Sequence, residues 1–122
     1  MDCMFCKKKG HDILFENEYA KAFKDNYPVN IGHTLIVPKS HVENYFELSK
    51  EELLAINDLI HKCKTFLEIT EKAQGFNIGW NCGSVAGQTV FHAHCHLIPR
   101  YINDVKVAKG GIRNFKKPII EY

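Results

Sequence analysis

Between residues 76 and 81, apolar Phe76, Ile78 and Trp80 alternate with Asn77, Gly79 and Asn81, a period of two that predicts a strand with one apolar face. The same period returns where His92, His94 and His96 alternate with Ala93, Cys95 and Leu97. A strand from about His92 to Tyr101 would set three imidazoles along one face and send Ala93, Cys95 and Leu97 into a core. Residues 12–16 and 19–24 read as two strands of a hairpin turning near Asn17-Glu18, and His33-Thr34-Leu35-Ile36-Val37 as a β-branched strand that stops at Pro38. One segment breaks from period two. Ser49-Lys50-Glu51-Glu52 has the form of a capping box, in which the Ser hydroxyl and the Glu carboxylate satisfy orphan N–H groups at a helix start. Leu53, Ile56, Ile60, Cys63 and Leu67 follow at spacings of three and four, one apolar stripe of a helix, with Gly75 as its expected stop. Short connections between these elements favour an antiparallel sheet of five strands with one long helix packed against it, an α+β fold.

Composition narrows the class. The chain has 122 residues, 45% hydrophobic and 25% charged, enough for one domain with one core. Its net charge is +2, with acids and bases interspersed, which argues against nucleic acid as a partner. No apolar stretch approaches the ~20 residues needed to span a membrane. Met1-Asp2-Cys3-Met4-Phe5-Cys6 lacks the shape of a signal peptide, so a cytoplasmic location is expected. Five cysteines, an odd number, in that compartment argue against a disulfide framework.

Two clusters carry candidate chemistry. The first is the pentad His92-Ala93-His94-Cys95-His96, preceded by the small-residue loop Cys82-Gly83-Ser84-Val85-Ala86-Gly87. Imidazole is suited to proton transfer, nucleophilic attack and metal ligation near neutral pH. A loop without bulky side chains lets backbone N–H groups form a nest for phosphate. The second is Cys3-Met4-Phe5-Cys6, a CxxC that in this setting means zinc or redox chemistry. A redox dithiol normally opens a helix after a strand; this one stands at the N-terminus, so zinc, which takes four N or S ligands, is the better reading. Cys63, Cys82 and Cys95 read as thiols without partners.

The pentad, flanked by Gln88-Thr89 and Leu97-Ile98, resembles the histidine triad (HIT) signature of nucleotide hydrolases and transferases. Phe23-Lys24-Asp25, His33 through His41 (HTLIVPKSH) and Asn81-Cys82-Gly83 through Thr89 resemble further segments of that family in the same order. The resemblance spans roughly residues 3–113 and implies that residues 1–122 form a single HIT domain. It implies that His94 is the nucleophile that attacks the α-phosphate to form a nucleotidyl-histidine, and that His96 binds phosphate oxygen beside it. It assigns Gln88 and Thr89 to the phosphate and leaving group, Asn81 to the sugar-phosphate region and Asp25 to the ribose hydroxyls. His33 becomes a further active-site histidine, and Phe5, Phe23 and Leu35 apolar positions around the base. It also implies that His92 and His41 join Cys3 and Cys6 on a structural zinc.

The activity implied by the resemblance is that of a hydrolase that cleaves diadenosine polyphosphates, as in the bacterial branch of the family, and releases a nucleoside monophosphate. A purine nucleoside phosphoramidate hydrolase and a non-catalytic nucleotide-binding protein are the alternatives. The tail near Pro99-Arg100-Tyr101 favours the first, since the C-terminal tryptophan element of the phosphoramidase branch is not visible; Arg100 or Arg113 could meet distal phosphates or form surface salt bridges. A homodimer is implied as well, and pairing of the exposed edges of so small a sheet would suit it. A different mechanism would have His92, His94 and His96 together hold a hydrolytic zinc, but neighbours ~6.6–7 Å apart on one strand sit too far apart for three ~2.0 Å bonds.

Overall fold

The computed structural model describes residues 2–115. Five strands form one antiparallel sheet: β1 (Ile13–Glu16), β2 (Ala20–Lys24), β3 (Thr34–Pro38), β4 (Gly75–Trp80) and β5 (Cys95–Arg100), in the spatial order β1-β2-β3-β5-β4. One long helix, α1 (Lys50–Thr70), lies across β1, β2 and β3. The expected α+β architecture is therefore present.

Local chemistry sets the ends of these elements. Asn17 closes the β1–β2 hairpin by accepting the N–H groups of Tyr19 and Ala20. Ser49 caps α1: its hydroxyl accepts the Glu52 N–H at 3.1 Å and the Glu52 carboxylate accepts the Ser49 N–H at 2.8 Å. The helix ends earlier than expected. It stops at Thr70, Lys72 turns to φ 61°, and the Ala73 N–H returns to the Leu67 carbonyl, so Gly75 opens β4 instead of ending α1. The apolar stripe is also rotated slightly. Ile56, Leu59, Cys63 and Leu67 are buried, while Leu53 and Ile60 flank them half-buried.

The register divides the sheet into two faces. Phe23, Leu35, His96 and Gly79 stand opposite one another in a row across β2, β3, β5 and β4. The adjacent row is Ala22, Ile36, Cys95 and Trp80. Because successive side chains alternate, the two rows point to opposite faces. The second row packs with Leu97 against Ile56, Leu59, Cys63 and Leu67 of α1. The first row faces the N-terminal segment, where Cys3 and Phe5 cover Phe23, Leu35 and Val37. On β4, Phe76 and Trp80 meet the α1-side core, but Ile78 stays 48% exposed on the unpaired edge strand.

Candidate active site

Strand β5 begins at Cys95, three residues later than the alternation predicts. His92 and His94 lie in the segment that leads into it, anchored where the Ala93 N–H donates to the Val42 carbonyl at 2.7 Å. The period-two arrangement persists in the side chains. Ala93, Cys95 and Leu97 are buried toward the core, and Phe5 packs its ring edgewise against both His92 and His94, with centroids 6.0 and 4.9 Å away. The His94 and His96 ring centroids are 5.0 Å apart.

The protons on these rings follow from backbone partners. The His94 Nδ1 lies 2.9 Å from the His92 carbonyl. A carbonyl only accepts, so Nδ1 donates, and the neutral ring has a bare lone pair on Nε2. His33 is held in the opposite sense. Its Nδ1 accepts the Val29 N–H at 3.0 Å, which puts the proton of the neutral ring on Nε2. That Nε2 stands 2.9 Å from the His96 Nδ1 and 3.4 Å from the Asp25 carboxylate. Donation from His33 leaves His96 with its own proton on Nε2. Burial pushes the His96 imidazole down to about 4, helped by the neighbouring His94 and His33 rings, so His96 is a neutral donor at physiological pH. Burial likewise holds His33 below the usual imidazole range, against the pull of Asp25.

These groups open onto a groove of about 340 Å³. Its lining includes Phe5, Phe23 and Leu35 as an apolar wall, with Asp25, Asn81, Thr89, His94 and His96 as polar groups. The Asp25 carboxylate also accepts the Tyr27 N–H at 2.9 Å. A second cavity, about 760 Å³, shares Asn81, Gly87 and His96 with the first and is bordered by Val29, Ile78, Trp80 and Ile98. Gly79 stands beside His96 at this junction, and a Cβ there would meet nothing within 4 Å.

Two expected phosphate-loop features differ in the structure. The amide of Gln88 is buried and fully engaged: Oε1 accepts the Gly83 N–H at 2.8 Å, and Nε2 donates to the carbonyls of Glu43 and Val90. With both amide N–H groups and Oε1 engaged, Gln88 braces the loop from behind and is absent from the groove lining. Several of the loop amides are also used internally. The N–H groups of Ala86, Gly87 and Gln88 bond to carbonyls of Gly83 or Ser84, with Gly83 and Gly87 at φ 95° to permit the tight turn. Thr89, Asn81 and His96 are among the polar groups that do line the groove. Arg100 is committed elsewhere too: its guanidinium pairs with Asp104 through two 2.8 Å hydrogen bonds.

The second cluster forms as expected. Cys3, Cys6, His41 and His92 bring one ligand atom each to within 4.8 Å of all the others. The His92 Nε2 donates to the Pro38 carbonyl at 2.9 Å, which leaves Nδ1 with its lone pair toward the cluster. Nδ1 of His92 lies 3.2 Å from Nδ1 of His41, 3.5 Å from the Cys3 sulfur and 3.4 Å from the Cys6 sulfur. A tetrahedral zinc with bonds of ~2.3 Å to sulfur and ~2.0–2.1 Å to nitrogen has edges of roughly 3.3–3.6 Å for these pairs. The donor set and spacing therefore fit zinc. Asp25, His33 and His96 also stand at metal-binding distances. There the Val29 N–H opposes ligation, because it keeps the proton on the His33 nitrogen that faces the other two groups. Among the described residues, His92, His94 and His96 do not converge on one point, so the hydrolytic triple-histidine zinc finds no support.

Some functional groups escape a sequence reading. Buried Lys21 donates to the Lys8 carbonyl at 2.8 Å and the Cys6 carbonyl at 3.4 Å, tying the CxxC segment to β2. A lysine flanked by Ala20 and Ala22, ahead of Phe23, is the available signal. The carbonyls of His92 and Pro38 and the N–H of Val29 have no such signal, since main-chain groups are common to every residue.

A small α+β domain with three histidines around β5 defines the class, and comparison with known proteins specifies it. The family model of the HIT domain matches residues 7–103, and the chain belongs to that family. A HIT-like protein of Methanocaldococcus jannaschii is 43% identical over 115 residues, covering 89% of this chain and 87% of its own. The adenosine 5'-monophosphoramidase hnt1 of Schizosaccharomyces pombe is 36% identical over 104 residues, covering 82% and 75%. Among solved structures, the diadenosine triphosphate hydrolase of Plasmodium falciparum superposes with a TM-score of 0.75 at 31% identity, covering 82% of this chain and 68% of that one. A zinc-bound histidine triad protein of Mycobacterium smegmatis gives 0.75 at 30% identity, covering 84% and 77%.

Proposed function

We propose that this protein is a nucleotide hydrolase that cleaves at the α-phosphate through a nucleotidyl-histidine intermediate on His94. The observation that carries the reading is the 2.9 Å hydrogen bond from His94 Nδ1 to the His92 carbonyl, which leaves Nε2 as a bare nucleophile in a nucleotide-sized groove. In the first step the Nε2 lone pair forms a bond to phosphorus, and the bond from phosphorus to the leaving group breaks. The leaving group departs with that electron pair and takes up a proton from solvent, and the attacking water of the second step returns a proton to solvent. In the second step water attacks phosphorus, the P–N bond breaks back to His94, and a nucleoside monophosphate is released. The Nε2–H of His96, the Thr89 hydroxyl and the Asn81 amide stabilise the charge on the phosphoryl oxygens as preorganised donors. Asp25 accepts from the ribose hydroxyls, and charge-assisted bonds of that kind are the stronger ones. Phe5, Phe23 and Leu35 hold a purine base. His33 fixes the proton on His96.

The HIT membership and the Plasmodium falciparum neighbour support a diadenosine polyphosphate as substrate. The apolar border of the second cavity, with Val29, Ile78, Trp80 and Ile98, favours a second reading in which the leaving group is an amine and the substrate a purine nucleoside phosphoramidate. The Schizosaccharomyces pombe relative supports that reading. Cys3, Cys6, His41 and His92 hold a structural zinc that clamps the N-terminal segment over the histidines and takes no part in the chemistry. The unpaired edge of β4, with Ile78 exposed, is suited to pairing with a second copy in a homodimer. No helix among the described residues is long and apolar enough to cross a membrane. The cytoplasm, where thiols stay reduced, suits the Cys3–Cys6 pair as the compartment in which the protein works.

The test is direct. Purified protein and His94→Ala are assayed side by side with diadenosine tetraphosphate and an adenosine 5'-phosphoramidate. Release of AMP by the wild-type protein from one of the two, abolished in the variant, is expected. Tight AMP binding with no hydrolysis of either would replace the enzyme with a nucleotide-binding protein.

A further inference from the structure

Behind the histidines lies a polar network that the proposed chemistry does not use. The Asp104 carboxylate is its centre. It accepts Arg100 Nε and Nη2 at 2.8 Å each, the Tyr101 N–H at 3.0 Å and the Asn30 side-chain amide at 2.7 Å. Arg100 reaches on to Asn77 of β4 at 2.6 Å, and Asn30 also donates to the Pro99 carbonyl at 3.1 Å. These contacts pull the Asp104 carboxyl well below the ordinary carboxylate range, chiefly through Arg100, so it stays charged. The network joins β5 and the turn after it to the loop between β2 and β3.

That loop is the one that sets the histidine protons. The Asn30 carbonyl accepts the His33 N–H at 3.1 Å, and its neighbour Val29 donates to His33 Nδ1. The Tyr101 hydroxyl donates to the Ile31 carbonyl at 2.8 Å, and Gly32, at φ 89°, fits against Leu67 and Pro99 where a Cβ would come within 2.9 Å of the leucine. The loop thus rests on the tail on one side and on His33 on the other.

We infer that Asp104 and Asn30 are positioning residues for catalysis: together with Arg100 they hold loop 29–32 where the Val29 N–H locks His33, and through it His96, into a single tautomer. If Val29 withdraws, the His33 Nδ1 loses its donor and the ring is free to carry its proton there. His33 Nε2 then faces His96 as an acceptor, and His96 must turn its own proton inward to Nδ1. The Nε2–H that the phosphoryl oxygen needs is lost in that state. The inference rests on the proposed role of His96 for its kinetic consequence, but the tautomers themselves are a property of the resting protein.

The experiment separates the two. Long-range proton–nitrogen correlation spectra of the nitrogen-15-labelled protein at pH 7 report which ring nitrogen bears the proton. The wild-type protein should show His33 and His96 each as the single Nε2–H tautomer. Asn30→Ala should turn both into mixtures and lower kcat by about 10- to 100-fold with KM within about threefold, the scale of a small misplacement of a catalytic group. Asp104→Asn keeps an acceptor for Asn30 but loses the paired charge, and should fall between. Gln74→Ala loosens the same tail, where Gln74 accepts the Ile102 N–H, without touching Asn30, and should leave the tautomers as they are. Single tautomers retained in a folded Asn30→Ala protein would overturn the inference, as would mixed tautomers in the wild type. Should Asn30→Ala not fold, wild-type tautomers and kcat in Asp104→Asn would overturn it equally. A wild-type protein with the expected tautomers and no hydrolase activity would leave this linkage standing and remove the proposed reaction alone.

Discussion

The two faces of the sheet are built by different means. The α1 side is an aliphatic core: Ala20, Ala22, Ile36, Cys95 and Leu97 pack on Ile56, Leu59, Cys63 and Leu67. Its two thiols are pushed up to about 12 by burial and are chemically inert at neutral pH. The opposite face has a smaller apolar cluster of Cys3, Phe5, Phe23, Leu35 and Val37, and around it stand His33, His92, Lys21 and Gln88, all buried. Each of those polar side chains is hydrogen-bonded, three of them to main-chain groups of another segment. Burial of apolar area holds the first face, in a manner that tolerates repacking. On the second, directional bonds fix where protons sit, and a lost partner leaves a buried group unsatisfied at a cost of about 1–3 kcal/mol. The division of labour is that one face supplies stability while the other spends it on a defined arrangement of imidazoles.

Substitutions should therefore separate activity from stability according to face. The largest effect belongs to His94→Ala, which should lower kcat by about 10^4-fold or more with AMP affinity little changed, at a stability cost of no more than about 1–3 kcal/mol from the His92 carbonyl left without its partner; steady-state assays and calorimetry on the same samples check it. On the other face, Leu59→Ala should destabilise by about 2–5 kcal/mol, read by urea unfolding, with kcat unaltered below the transition. A fall in kcat for Leu59→Ala as large as that for His94→Ala would erase the distinction between the faces.

Metal analysis sharpens the comparison. One zinc per chain is expected, and its removal by chelation should lower the thermal midpoint by roughly 10–20 °C, the equivalent of about 4 kcal/mol of ligand stabilisation. Zinc-free protein with the same midpoint would show that Cys3, Cys6, His41 and His92 contribute nothing as a clamp. The smallest effect concerns pH. The unfolded chain protonates His96 near pH 6.5, while burial holds the native ring at about 4. Between those values the unfolded state binds a proton that the native state does not, so stability falls as pH falls. Urea midpoints measured from pH 7 to 4.5 should decline, and His96→Asn should flatten part of that slope; an unchanged slope would contradict the burial of His96 as a neutral ring.

The same contrast explains what a sequence reading can reach. On the α1 side, period and caps carry the information: Ser49 and Glu52 mark the helix start, and the stripe departs at Leu53, which is half-buried, and at Leu59, because a run of Leu59-Ile60 offers two apolar residues to one slot. The end of α1 misleads because Gly75 looks the same as a cap or as the first residue of an edge strand. On the site face, His33, Asp25, Phe5, Phe23, Leu35, Asn81, Thr89, His94 and His96 all line or adjoin the groove, as the motif resemblance implies. Gln88 does not, since an amide that braces a loop from behind has the same spacing as one that faces a ligand. The roles of Arg100 and Asp104 are invisible for a similar reason: a pair at i and i+4 in a turn becomes meaningful only when Asn30, 74 residues from Asp104, closes on it.

The central claim is that His94 forms a bond to phosphorus through Nε2. Mixing enzyme in excess with a substrate labelled in the nucleoside, quenching within milliseconds into alkali, and locating the label by peptide mass spectrometry tests it most directly. A nucleoside monophosphoryl group on His94, rising and decaying at rates that account for turnover, is the predicted result. Turnover without any adduct, or an adduct on His33 or His96 with His94 unmodified, would contradict the account.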